Sequence, residues 1–385
     1  MANFERLNQY QQEMLRCNRC GYCQAPCPIY TLLRREPVTA RARIQLLRAL
    51  TEGKLSLSEV GSHYIYGCTD CQSCRVGCPG GVRTDQIFAA AREVIADSEF
   101  FPAGLAELEQ RVRTTHNISG EPGENRLLWA ENLDVKPEGL VGKGGAEVVL
   151  FTGCVSALYP MAYGILQDVV EVLEAAKVDF TTLGPDEWCC GYPLLSAGLP
   201  VSELIAHNLD RVEALGAKTL VTTCPSCYHV WKYQYAPDSI EVMHSTEFLD
   251  QLVEAGPMPL RSLNMRVTYH DPCDLGRKSE VYDAPRRIIE SIPGLEFAEM
   301  EDHGENAMCC GGGGNLETLD AKLSGAVARL RLEQAQAVGA EAIVSACQQC
   351  ERTLRMAARR DKVRIKVMDV VQLLRTALPK DETET

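Results

Sequence analysis

The chain has 385 residues, too many for one ordinary core, so two or three domains are expected. A formal charge of −13 excludes a general nucleic-acid or acidic-membrane binder, which needs a broadly basic surface. Eighteen cysteines would suit a secreted disulfide protein, but Met1-Ala2-Asn3-Phe4-Glu5-Arg6 leads into no apolar signal core, so a reducing cytoplasm is expected.

Residues 4–16 read as a short amphipathic helix, with Phe4, Leu7, Met14 and Leu15 available for one face. Directly after it, Cys17-x2-Cys20-x2-Cys23-x3-Cys27-Pro28 has the spacing of a bacterial ferredoxin, and Cys68-x2-Cys71-x2-Cys74-x3-Cys78-Pro79 repeats it. In such paired runs three thiolates hold one cubane and the fourth reaches the other. The expected ligand sets are therefore Cys17, Cys20, Cys23 and Cys78 on one [4Fe-4S] cluster, and Cys68, Cys71, Cys74 and Cys27 on the second. Zinc also takes Cys-x2-Cys pairs, but from two separated pairs and not from four thiols compressed in this way.

Helices are expected at Arg41–Leu50 and Thr84–Ile95, which makes the N-terminal part (1–117) a helical ferredoxin-type domain. Arg34, Arg35, Arg41 and Arg43 read as a solvated helix face that offsets cluster charge, in preference to an anion site. Residues 118–145 are rich in glycine and proline and read as a linker, with Trp129 suggesting that part of it packs.

From residue 146 the pattern alternates strand and helix, as in an open α/β unit, and it does so twice, over 146–256 and 257–385. The fold class expected is thus α followed by a duplicated α/β domain. Each copy carries five cysteines: Cys154, Cys189, Cys190, Cys224 and Cys227, then Cys273, Cys309, Cys310, Cys347 and Cys350. They fall at strand ends and turns, where open sheets place ligands. The uncharged run Val148–Leu166 is long enough to span a bilayer, but Gly153, Cys154 and Pro160 break it into strand, turn and helix. A cubane or a structural zinc needs four ligands, so the fifth thiol in each set is either spare or serves a larger, irregular cluster.

The two five-cysteine sets resemble the CCG domains of heterodisulfide reductase catalytic subunits. Cys17–Pro28 with Cys68–Pro79 resembles the helical ferredoxin domain fused to them in the D-type subunit. The iron-sulfur subunit of glycolate oxidase has a similar layout but commonly loses a terminal cysteine, whereas Cys224-x2-Cys227 and Cys347-x2-Cys350 are both intact here. The reductase resemblance implies a noncubane [4Fe-4S] cluster in each five-cysteine set, the two flanking one disulfide substrate. It implies homolytic cleavage in which each noncubane cluster gives one electron and captures one sulfur, the cubanes refilling them. Those ten cysteines would then be catalytic as well as metal ligands.

His229 and His270 lie near the cysteine sets, and a local structural role is expected for each; Asp271 is a helix-entry or cluster-neighbour residue. Gly311–Gly314 lacks the Lys-Ser/Thr of a P-loop and reads as room for a cluster. The chain has no flavin fingerprint, so electrons are expected from a flavin-containing or other redox subunit or a ferredoxin, with any membrane association supplied by a partner. Two rival readings are an electron relay for a flavin-linked glycolate or lactate dehydrogenase, and a scaffold in which one CCG site holds zinc.

Overall fold

Eight short strands form two separate, wholly parallel sheets in a computed structural model that describes residues 4–256 and 258–379. Val148–Phe151 (β1), Phe180–Thr182 (β2), Thr219–Thr222 (β3) and Glu241–His244 (β4) are ordered β2-β1-β3-β4. Met265–His270 (β5), Leu295–Phe297 (β6), Ala342–Ser345 (β7) and Lys366–Asp369 (β8) repeat the arrangement as β6-β5-β7-β8. The register repeats too, Val148 lying opposite Thr219 and Val267 opposite Ala342. Every residue of β1 is buried, as a parallel strand covered by helices on both faces requires.

The repeats pack on each other through helices. Tyr163–Ala175 lies on Val370–Ala377, joined by the Arg375–Glu171 ion pair and a 3.2 Å hydrogen bond from Gln372 to Asp168. Ser245–Ala255 lies on Asp283–Ser291, where Arg287 Nε donates to Asp250 at 3.0 Å. No helix of the described residues is long and apolar enough to cross a membrane; the run Val148–Leu166 is divided among β1, the helix Cys154–Leu158 and the start of Tyr163–Ala175.

The N-terminal part is helical, built mainly from Ala40–Thr51, Glu59–Tyr66, Thr84–Ala96 and Ala103–Thr115. Three details depart from the sequence reading. The first amphipathic segment is two helices, Glu5–Asn8 and Gln11–Leu15, and only Leu7 and Met14 are buried while Leu15 is exposed. The arginines do not share one solvated face: Arg43 is buried and donates to the carbonyls of Tyr64 and Gly67, holding the chain just ahead of Cys68. β6 went unforeseen because three residues, Leu295-Glu296-Phe297, carry too little alternation to show.

The segment 118–145 contains a 3-10 turn over Gly123–Asn132 that buries Trp129 completely. Further on, Leu140 O accepts from Thr182 N and Gly142 N donates to Thr182 O, laying the chain along the edge of β2.

Candidate functional site

In each sheet the chain order reverses between the two central strands, and a crevice opens at their carboxyl ends. Cys154 follows β1 and Cys224 follows β3, so both stand at that point; Cys273 after β5 and Cys347 after β7 do the same in the second sheet. The vicinal pairs approach on the turns after β2 and β6. Gly191 and Gly311 close these turns with φ of +92° and +90°, a conformation that other residues rarely adopt. Their N–H groups point back at sulfur, 3.4 Å from Cys189 Sγ and 3.3 Å from Cys309 Sγ.

The five thiols of each set converge. In the first, Cys154 contacts Cys189, Cys190 contacts Cys189 and Cys227, and Cys227 contacts Cys224. Hydrogen bonds from Cys189 and Cys227 hold the Cys190 thiol down to about 6, while hydrogen bonds to Cys190 and Cys224, with burial, push Cys227 well up. Gly153 is required here because a side chain in its place would come within 3.3 Å of Cys227 Sγ at a φ of +71°. The second set has the same pattern: Cys310 Sγ is 3.2 Å from Cys350 Sγ, and hydrogen bonds from Cys309 and Cys350 hold the Cys310 thiol low. All eighteen cysteines are free. Five convergent thiols with backbone N–H groups aimed at sulfur suit an iron-sulfur group, whose sulfurs such donors stabilise.

His270, Cys310 and Cys350 bring three ligand atoms within 4.8 Å of one another, close enough for a metal ion. The imidazole is not set up as a ligand. Arg331 Nε donates to His270 Nδ1 at 3.0 Å, so the neutral ring carries its proton on Nε2, the atom facing Cys310. His270 Nε2 is buried beside Cys310 and makes no hydrogen bond in the structure. Asp271 takes a bidentate pair from Arg286 (2.7 and 3.0 Å) and accepts from Gly304 N, and His229 Nδ1 sits 3.2 Å from Ser279 Oγ.

The first set is braced differently. Arg126 and Glu187, both fully buried, form a 2.9 Å ion pair; Arg126 also reaches Cys154 Sγ at 3.4 Å, and Glu187 accepts from Thr152 N and Gly153 N at the end of β1. Trp188 is stacked between His116 and His207.

Between the two sets lies a cavity of about 200 Å³ lined by nine of their ten cysteines. The tenth, Cys309, contacts Cys71 of the N-terminal domain. Gln348 Nε2 donates to Thr223 O at 2.8 Å, tying together the loops that begin at Cys224 and Cys347. Asp274 joins both sets to the N-terminal domain: it accepts from Tyr192 and Ser226, and Lys278 bridges it at 3.0 Å to Asp70 at 2.9 Å. Arg111, Asn315, Gln349 and the ion pair of Arg352 with Glu317 are also in the lining.

In the N-terminal domain, Cys17, Cys20, Cys23 and Cys78 line one small cavity, which Cys74 also touches. Cys27, whose thiol burial pushes up to about 11, lies close to Cys68 and Cys71, and Cys74 has the same three neighbours. The Cys68 loop is pressed on the second five-cysteine set. Side chains added at Gly313 or Gly314 would come within 2.5 Å of Thr69 O and 2.2 Å of Cys68 O, and Arg277 Nε donates to Cys71 O at 2.6 Å. The glycine run therefore serves a close approach of two loops as well as lining the cavity. Arg126, Glu187, Arg277, Lys278 and Arg331 escaped the sequence reading. Only the basic pair Arg277-Lys278, set four and five residues after Cys273, offered a local signal.

Comparison with known proteins agrees with this geometry. A family model described as a cysteine-rich domain matches twice, over 148–232 and 267–355, and a 4Fe-4S dicluster domain matches 13–82. The D-type subunit of dihydromethanophenazine:CoB--CoM heterodisulfide reductase from Methanosarcina mazei is 32% identical over 395 residues, covering 95% of this chain and 94% of that protein. EtfAB:quinone oxidoreductase of Syntrophomonas wolfei is 28% identical over 79% of this chain, which spans 48% of that longer protein.

Proposed function

Because the chain belongs to the D-type heterodisulfide reductase family of iron-sulfur oxidoreductases, we propose that it is the thiol/disulfide-active subunit of a redox complex. Cys17, Cys20, Cys23 and Cys78 hold one cubane, Cys68, Cys71, Cys74 and Cys27 the other, and the ten remaining cysteines hold two noncubane clusters. The observation that carries this reading is the shared cavity, with cysteines of both sets on its walls. The clusters supply single electrons and iron sites with affinity for sulfur.

The chain's own residues shape what enters. Tyr159, Tyr192 and Pro193 give apolar walls, Arg111 offers a cation to an anionic substituent while Arg352 is paired with Glu317, and burial excludes water from the sulfurs. The contact of Cys71 with Cys309 supports entry of electrons through the second set. A flavin-containing or other redox subunit would be the donor.

Iron, zinc and acid-labile sulfide in anaerobically purified protein test this reading, together with disulfide consumption by the reduced protein. About sixteen irons without zinc, and stoichiometric thiol release, are expected. About eight irons would overturn it, and about twelve with one zinc would make one set structural. A second reading, an electron relay beside a flavoprotein, draws on the likeness to the Syntrophomonas wolfei oxidoreductase. It predicts full iron loading with no disulfide consumed.

A further inference from the structure

Charge is distributed unevenly in this molecule. Residues 14–50 hold seven arginines and a single acid, Glu36, in a chain whose formal charge is −13. Arg43 and Arg48 are spent on internal contacts, Arg43 inside the N-terminal core and Arg48 on Glu52. Arg16 is neutralised by Glu13 and Arg41 by Glu36. Arg19, Arg34 and Arg35 remain, all exposed, and none lies within salt-bridge distance of a carboxylate among the described residues.

These residues border one surface. Arg41 Nη1 donates to Arg19 O at 3.0 Å, and Gln24 Nε2 donates to Glu36, the neighbour of Arg35, at 2.9 Å. The loop of Cys17, Cys20 and Cys23 is therefore stitched to the arginine-bearing segment 34–41. Within that surface Cys20 is the one exposed cysteine of the eighteen, and Tyr22 and Leu15 are exposed apolar side chains. The ten cysteines of the cavity sets are buried or half-buried behind it. An exposed sulfur site with an apolar centre and a cationic rim has the makeup of an interface for rapid electron exchange, where opposite charge on the partner speeds encounter.

We propose that the face around Cys20, rimmed by Arg19, Arg34 and Arg35, docks a small acidic one-electron carrier protein. This rests on the reading that Cys17, Cys20, Cys23 and Cys78 hold a cubane. The exchange asks for one electron only, lost by the reduced carrier and gained at that site, with no bond made or broken. The occupant is acidic because Arg19 and Arg35 have no carboxylate partner among the described residues and Arg34 meets only the Tyr30 ring, 5.7 Å away, which leaves its charge available.

The test is binding of the iron-loaded full chain to a small acidic ferredoxin at about 20 and about 300 mM salt, a range that crosses the Debye length from long to short. Expected are affinity falling at least ~10-fold with salt and a further fall of at least ~10-fold for the Arg34→Glu/Arg35→Glu double variant. Lys362→Glu/Arg364→Glu, which reverses exposed cations lining a different cavity, should leave affinity unchanged. Equal affinity of wild type and the Arg34/Arg35 variant overturns the proposal, as does preference for a basic cytochrome or for anionic vesicles over the ferredoxin. Iron content and the electron paramagnetic resonance of the dithionite-reduced variants are read in parallel. Absence of cubane signals in the wild type would sink the cluster assignment instead, leaving the binding comparison to stand or fall separately.

Discussion

The two cysteine-rich repeats share strand order, register and cysteine spacing, yet the groups that touch their sulfurs are unlike. Along β1 and β5 the correspondence is plain: Phe151 occupies the place of His270, and Thr152 that of Asp271. Phe151 meets Trp231 edge-on, an apolar contact, whereas His270 accepts from Arg331 and lies beside Cys310. The first set is braced from outside its own repeat, by Arg126 of the segment 118–145; the second is braced by Arg277 and the Cys68 loop of the N-terminal domain. A duplication thus kept the cysteine spacing and diverged in the groups around it.

The largest effects expected concern the ligands. Cys190→Ser and Cys310→Ser should each remove about four irons and leave the rest, measured as iron and sulfide per chain. The repeats should differ for their other vicinal residue. Cys309→Ser should also perturb the resonance of the cubane at Cys68, because Cys309 contacts Cys71, while Cys189→Ser should not. Identical spectra for the two would break the comparison. Cys27→Ser should damage the cluster at Cys68, Cys71 and Cys74; damage confined to the cluster at Cys17 would reverse the crossed pairing.

Next come the braces. Arg126→Ala leaves Glu187 buried without its cation and should cost about 3–5 kcal/mol in chemical unfolding of the holoprotein. In the second repeat Arg286, which pairs with Asp271, is partly exposed and Asp271 keeps the Gly304 N–H, so Arg286→Ala should cost only about 1–2 kcal/mol. Gly314→Ala meets Cys68 O at 2.2 Å with φ at +63° and should cost about 2–4 kcal/mol, detected as a lowered midpoint and slower reduction of the second set.

The smallest effect isolates the difference between the repeats. His270→Phe copies the first repeat's residue and deletes the imidazole N–H beside Cys310; a donor at sulfur is worth ~1 kcal/mol, so the second site's reduction potential should fall by about 40 mV in a spectroscopic titration. An unchanged potential would mean that His270 serves only packing.

Much of this molecule could be read along the chain because its chemistry is local. The helices Ala40–Thr51 and Thr84–Ala96 extend at most one residue at either end beyond Arg41–Leu50 and Thr84–Ile95, the bounds that patterning suggested, and the cysteine sets stand out because thiols at short fixed intervals suit few purposes other than metal. The braces were illegible for the opposite reason. Arg126 and Glu187 are 61 residues apart and Lys278 and Asp70 are 208 apart, and neither member of either pair has a pattern of its own.

The sequence by itself determined the class of elements, the duplication and the inventory of thiols, since periodicity and spacing are properties of neighbours along the backbone. Only the tertiary structure decided that the two sets face one cavity, that the Cys68 loop and not the Cys17 loop lies against the second set, and that Cys20 alone is left at the surface. Those arrangements come from burying the apolar faces of helices distant in sequence, and from glycines that let two backbones meet at distances a side chain would forbid.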